Sequence, residues 1–193
     1  WRTPREYREH LSSLALGPNI GAFVGHSDLR CAAMGLGRSV TDGEEPRAAE
    51  LEQMKQWLSD ALDAGFLGLS INTNRWDKLG GTRFRSKPLP STFASWKEIR
   101  ALVELVRERE RVLQGIPNIS AKYDALFFMF ESMGDGVRKP TRTSLVSVVD
   151  VASNRLLYKA LLTLTRAVNR IFGGDVRFQA LPMPFDMFVD GLD

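Results

Sequence analysis

The sequence predicts an α/β fold, part of a (β/α)8 TIM barrel with about five parallel strands and intervening helices. Three observations predict it. Five short runs, Asn19–Gly25, Phe66–Asn72, Arg111–Asn118, Ser144–Asp150 and Asp175–Leu181, are nearly continuous in apolar residues, as strands covered on both faces are. Each run leads into a segment of helical periodicity at a repeat of roughly 30–45 residues, the mark of right-handed βαβ units. A closed eight-fold barrel takes about 250 residues; 193 residues beginning at Trp1 fall short of it. The chain is therefore expected to be an internal piece, residues 1–193 forming the central segment of a larger barrel domain.

The elements follow in order. Thr3, Pro4 and Glu6 form a capping box with proline in the first turn, opening a helix striped by Tyr7, Leu11 and Leu14 and ended by Gly17-Pro18. After the first strand, 26–34 reads as a short turn of helix and 35–45 as a surface loop. Leu51, Met54, Trp57, Leu58, Ala61 and Leu62 share one helical face, with Gly65 as the C-cap. That stripe is expected to pack on the sheet rather than to line a ligand box. Residues 73–93 are the longest irregular stretch, and loops of that length are often lids or binding loops, a tolerated insertion being the alternative.

Ser95 and Glu98 make a second capping box, opening a helix that turns Ile99, Leu102, Val103 and Val106 inward; the charge run 107–111 reads as a solvated face. Residues 125–133 are apolar all round, which predicts a buried helix, with a partner-binding surface as the alternative. The last helix carries Leu156, Leu157, Ala160, Leu161, Leu164, Ala167, Val168 and Ile171 on its inward stripe, and Gly173-Gly174 closes it.

Composition, at 44% hydrophobic and 25% charged, is that of a globular chain with material for a sizeable core. A formal net charge of +3 is too small to argue for a nucleic-acid partner. The nearest basic patch, Arg75, Lys78, Arg83, Arg85 and Lys87, reads as a solvated loop. The single Cys31 excludes an intrachain disulfide and fits a reducing compartment, so the cytoplasm is the expected location. No apolar run approaches the roughly 18 residues that span a bilayer, and no membrane partner is expected.

Parallel α/β folds bind ligands at the carboxyl ends of their strands. Those ends offer His26, Asn72, Asn118, Asp150 and, near the end of the fifth, Gln179 as pocket candidates. The alternative is that polar loops simply begin there. A catalytic zinc needs three protein ligands, usually histidine-rich. The chain holds two histidines, His10 and His26, with no H-x-H or H-x-x-x-H spacing, and Asp28 beside His26 is weak support. No metal ligand is assigned within the chain. G-x-S-x-G and G-x-x-x-x-G-K-[ST] are absent, and Gly65-Phe66-Leu67-Gly68 enters a strand rather than leaving one. Ser27, His26 and Asp28 are adjacent and cannot form a triad, so no catalytic residue is assigned.

The stretch Asn19-Ile20-Gly21-Ala22-Phe23-Val24-Gly25-His26-Ser27-Asp28-Leu29-Arg30, followed by Ala33-Met34-Gly35, resembles the N-V-A-x-L-V-G-H-[GS]-x-L-R…V-M-G segment of the N-acyl-D-amino-acid deacylases (D-aminoacylases), a branch of the amidohydrolase superfamily. The helix Glu50 to Gly65 and Gly65-Phe66-Leu67-Gly68-Leu69-Ser70 are similar to that family's A-L-x-A-G-A-x-G-[LF]-S. Lys87-Pro88-Leu89-Pro90-Ser91 is similar to its V-P-S stretch, and Asp175-Val176-Arg177-Phe178-Gln179-Ala180 to its A-x-V-x-x-Q-[VT] strand. The resemblance runs in order across nearly the whole chain.

It implies a metal-dependent barrel that hydrolyses the amide of N-acylated D-amino acids or related compounds, with zinc in the full-length protein, none expected in this segment, and most ligands outside it. The implied partner is a small-molecule N-acyl amino acid; separately, an open five-stranded piece exposes unpaired strand edges, so the remainder of the polypeptide or another copy of it is an expected partner. The family's T-H-x-R and S-H ligand histidines have no counterpart in Val112-Leu113-Gln114-Gly115-Ile116-Pro117-Asn118 or Ser147-Val148-Val149-Asp150. Either other residues replace them, Asp150 being the positional substitute, or the protein is a non-catalytic binding or scaffold member of the same fold.

Overall fold

A computed structural model describes residues 1–118, 123–134, 138–148 and 156–180. Five strands, β1 (Phe23–Gly25), β2 (Gly68–Asn72), β3 (Val112–Ile116), β4 (Arg142–Val148) and β5 (Asp175–Ala180), form one parallel sheet in sequential order. Helix α1 (Pro4–Ser13) precedes the sheet, and α2 (His26–Met34), α3 (Leu36–Ser39) and α4 (Ala48–Asp63) connect β1 to β2. A 3-10 turn (Pro90–Phe93) and α5 (Trp96–Glu108) lead to β3, α6 (Asp124–Ser132) to β4, and α7 (Leu157–Ile171) to β5. Parallel strands added one at a time, each after a helical crossover, make the predicted partial barrel.

Register divides the sheet into two faces, because successive side chains alternate. One row, Leu69, Leu113, Thr143 and Val176, is buried. With Ile71 and Leu145 it packs beneath Leu58 and Leu62 of α4, Ile99, Leu102 and Val106 of α5, Phe128 of α6 and Val168 of α7. The neighbouring row, Ser70, Gln114, Ser144 and Arg177, lies on the opposite face. Ser70 Oγ donates to Gln114 Oε1 at 2.8 Å, and Gln179 Nε2 donates to Ser144 Oγ at 3.0 Å. The strands are thus not apolar on both faces as expected. Helices cover one face, and the other, the interior side of a barrel, is half polar.

Two glycines set the closest approaches. A Cβ on Gly68 would overlap the Val112 carbonyl, so β2 and β3 meet there only with glycine. A Cβ on Gly115 would lie 2.7 Å from the Phe128 ring, which rests directly on β3.

Several local expectations change. The first strand is three residues long, because β1 pairs only with β2 among the described residues and Leu67 N–H reaches back to the Ala22 carbonyl. The 26–34 segment is a full helix, and the expected surface loop after it contains α3 and a buried Ser39 and Val40. Residues 73–93 are ordered, with an antiparallel bridge between Lys78 and Pro88. Phe128 and Met129 of α6 are buried, whereas Phe130 is 51% exposed, since only one side of the helix meets the sheet. On α7, Val168 reaches the core while Leu164 faces α6 across a cleft of about 500 Å³, and Leu156 and Ile171 are exposed.

Candidate functional site

Helix α2 begins at the residue after β1, with no intervening loop, so His26 occupies its first position and is fully buried. Its Nδ1 lies 2.9 Å from Ser91 Oγ, and its Nε2 lies 3.1 Å from Glu98 Oε1, an electrostatic contact off the hydrogen-bond line. Arg30, one turn along α2 and equally buried, pairs with Glu98 Oε2, donates Nε to the Ser39 carbonyl at 3.3 Å and Nη2 to the Glu44 carbonyl at 2.5 Å. Ser27 and Ser91 hydroxyls are 2.7 Å apart, and the Ser91 N–H donates to Ser27 Oγ at 3.1 Å. Burial alone pushes the Glu98 carboxyl up, but His26 and then Arg30 outweigh it and hold the group below its ordinary value. Both imidazole nitrogens face protein groups, so His26 clasps α2, the 3-10 turn and α5 together.

At the ends of β2 and β3 the polar groups are different. Asn72 Nδ2 donates to Asp77 Oδ2 at 2.6 Å, and Asn72 Oδ1 accepts from the Asn74 N–H at 2.9 Å. The Asn118 N–H donates to Asp124 Oδ2 at 2.7 Å, and the Thr73 hydroxyl donates to the same oxygen. The Thr73 N–H reaches the Ile116 carbonyl at 3.0 Å. Since Asn72 and Ile116 are register partners, Asn72 and Asn118 share one rim, tied by Asp77 and Asp124. Sequence reading missed both aspartates. The signals were an Asx-type turn after Asn72 and an acid in the first turn of α6.

Of the five candidates, Asn72 and Asn118 are brought together. His26 is turned into the helical layer, and Gln179 sits on β5 bonded to Ser144. Asp150 lies outside the described residues. A cleft of about 890 Å³ among α1, α2 and α4, lined by Arg2, Asp28, Trp57, Asp60 and Phe66, includes none of these candidates.

The described residues do not fit a metal site. Among the described residues no three His, Cys, Asp or Glu side chains gather as ligands. His26 is already engaged, and Asp77 and Asp124 each accept from amide or hydroxyl donors. Asp28 folds back so closely that a Cβ on Gly25 would overlap its carboxylate. No helix among the described residues is long and apolar enough to cross a membrane.

No protein-family model matches the chain. Uncharacterized proteins of Mycobacterium tuberculosis and Mycobacterium bovis are 44% identical over 194 residues, covering all of this chain and 32% of each relative. The chain thus spans about a third of the length of the curated relatives it matches. Among solved structures, an N-acyl-D-glutamate deacylase from Bordetella bronchiseptica, complexed with zinc and a phosphonate mimic of the tetrahedral intermediate, superposes with a TM-score of 0.73 at 23% identity, over 95% of this chain and 35% of that one. A D-aminoacylase studied for its binuclear metal centre superposes with a TM-score of 0.68 at 24% identity, over 95% of this chain and 34% of that one. The chain has the fold of an internal segment of these barrels.

Proposed function

We propose that the protein carrying this segment is a metal-dependent hydrolase of the amide bond of N-acyl-D-amino acids or related compounds. The observation that carries the reading is the agreement in fold with a deacylase over 95% of the chain at a TM-score of 0.73. The Gly25-His26-Ser27-Asp28-Leu29-Arg30 segment supports it as a local likeness. The described residues supply no metal site, so zinc belongs to this reading only with ligands contributed from elsewhere in the polypeptide. Within the segment, Asn72 and Asn118 form part of the rim, and His26 shapes it from behind by fixing α2. The substrate is a small N-acyl amino acid. The rest of the same polypeptide, or another copy, covers the polar face of the sheet, and the compartment is the cytoplasm.

A second reading has its own observation. Both rim aspartates accept from protein donors through Oδ2, which suits a binding or scaffold protein of the same fold that has no metal. Elemental analysis of the full polypeptide, paired with an assay for amine released from N-acyl-D-amino acids, separates the two. Near-stoichiometric zinc with hydrolysis that stops on chelation is the expected result. A metal-free protein that releases no amine would sink the hydrolase and leave the binding protein.

A further inference from the structure

The contacts around His26 form a chain with a direction. Glu98 is buried, and against the burial that alone raises it, His26 and Arg30 hold its carboxyl below the ordinary value. A carboxylate only accepts, so the Nε2 that faces Glu98 Oε1 at 3.1 Å carries the proton of a neutral imidazole. Nδ1 is then an acceptor, and the Ser91 hydroxyl, 2.9 Å away, must donate to it. The lone pairs of Ser91 Oγ are left to accept from the Ser27 hydroxyl at 2.7 Å. Ser27 Oγ in turn accepts the Ser91 N–H at 3.1 Å. Donation therefore runs from Ser27 to Ser91 to His26, with Glu98 behind the imidazole.

Burial falls along the same path. Glu98, His26 and Ser91 are buried, and Ser27, at the head of the chain, is half-buried, so it is the member that solvent reaches. It stands in the first turn of α2, which begins directly after β1, at a strand's carboxyl end, where barrel proteins gather their chemistry. The helix dipole favours negative charge in that turn, and the Ser91 N–H already points at the Ser27 oxygen. Ser91 arrives from the far end of the 73–93 excursion, a hairpin in which the Leu79 N–H donates to the Lys87 carbonyl at 2.8 Å and the Leu89 N–H to the Asp77 carbonyl at 3.2 Å. The neighbours His26 and Ser27 cannot make a triad by themselves. Ser91, 64 residues beyond Ser27, bridges them, and Glu98 orients the base.

We infer that Ser27 is an acyl-accepting nucleophile served by a proton relay through Ser91 to His26, and that its substrates are small acyl esters. Ser27 Oγ bonds to the ester carbonyl carbon while its proton passes to Ser91, whose own proton passes to His26 Nδ1. The imidazolium so formed faces Glu98. Collapse of the tetrahedral adduct breaks the bond to the leaving alcohol, which departs with the proton returned through Ser91. Water then attacks acyl-Ser27 by the same relay, releasing the carboxylic acid and restoring the serine. An ester suits the site better than an amide, because the Glu98 contact lies off the hydrogen-bond line and supports the base less. The relay draws on none of the zinc chemistry proposed above.

The test treats the full polypeptide with a small alkyl fluorophosphonate, which loses fluoride to an activated serine and leaves a stable adduct, followed by peptide mass analysis. The adduct is expected on Ser27, at a rate unchanged by a chelator and lost when urea unfolds the protein. S27A abolishes it together with the hydrolysis of p-nitrophenyl acetate. S91A slows its formation about a hundredfold and leaves the half-saturating probe concentration unchanged, a split that a merely structural Ser91 would not produce. A thermal melt verifies that both variants fold. A native wild-type protein without the Ser27 adduct overturns the relay, as does an adduct that S91A forms at the wild-type rate or that a chelator prevents. Amine release from N-acyl-D-amino acids without the adduct sinks the relay and leaves the zinc hydrolase standing. The adduct without amine release does the reverse.

Discussion

Glu98 carries two partners from another helix on one buried carboxylate, 2% exposed. Removing one member of a buried ion pair leaves the other charge uncompensated, so Glu98→Ala is expected to cost about 3–5 kcal/mol, read from urea denaturation. Its pH dependence follows from a carboxyl held below its ordinary 4.5. A lowered folded value contributes stability that is complete above the unfolded pKa and is lost as pH falls through the folded one. The gap between wild type and Glu98→Ala should therefore hold constant above the ordinary carboxylate range and close only under acid. A gap that closed as pH rose towards neutrality would contradict the assignment. The sequence announced Glu98 as half of a capping box, and the Ser95 half formed, with Oγ accepting from the Glu98 N–H at 3.3 Å. The carboxylate went instead to His26 and Arg30, a tertiary choice that no local spacing encodes.

Helix α6 divides its apolar residues between two environments. Phe128 is fully buried over Gly115 and Leu145, whereas Phe130, two positions on, is 51% exposed beneath the Arg100 guanidinium. Phe128→Ala should cost about 3–5 kcal/mol through the cavity it opens. Phe130→Glu should stay within about 0.5 kcal/mol of wild type while raising the solubility limit. Equal losses from both, in parallel chemical melts, would mean that the outer side of α6 is also packed. A run that is apolar all round cannot disclose this division, because hydrophobicity without periodicity names no face. The excursion after β2 was legible in its length and its breakers. Its hairpin was not, since the pairing depends on backbone bonds between residues with no strand pattern.

Across the whole molecule, five strands, their parallel sense and their sequential order were legible, because each apolar run is followed by a helical period and such crossovers leave few topologies. The polar face was less so: Ser70, Gln114 and Ser144 interrupt the runs singly, and single polar residues read as noise until register puts them in one row. Asn72 and Asn118 stand where β2 and β3 end, whereas at His26 a helix starts with no loop between.

The clasp around His26 also governs time. It joins groups 64 to 72 residues apart in the chain, across α3, α4 and β2. Closing so long a span costs entropy that is recovered only after the intervening elements have formed, so the clasp assembles late. Contacts absent from the folding transition state act on the unfolding rate alone. In stopped-flow denaturant jumps, Arg30→Met should steepen the loss of native protein and leave refolding at the wild-type rate; slowed refolding would place the clasp in the nucleus instead. The buried charges of the clasp thus set how long the protein stays folded, while the apolar strands set how fast it gets there.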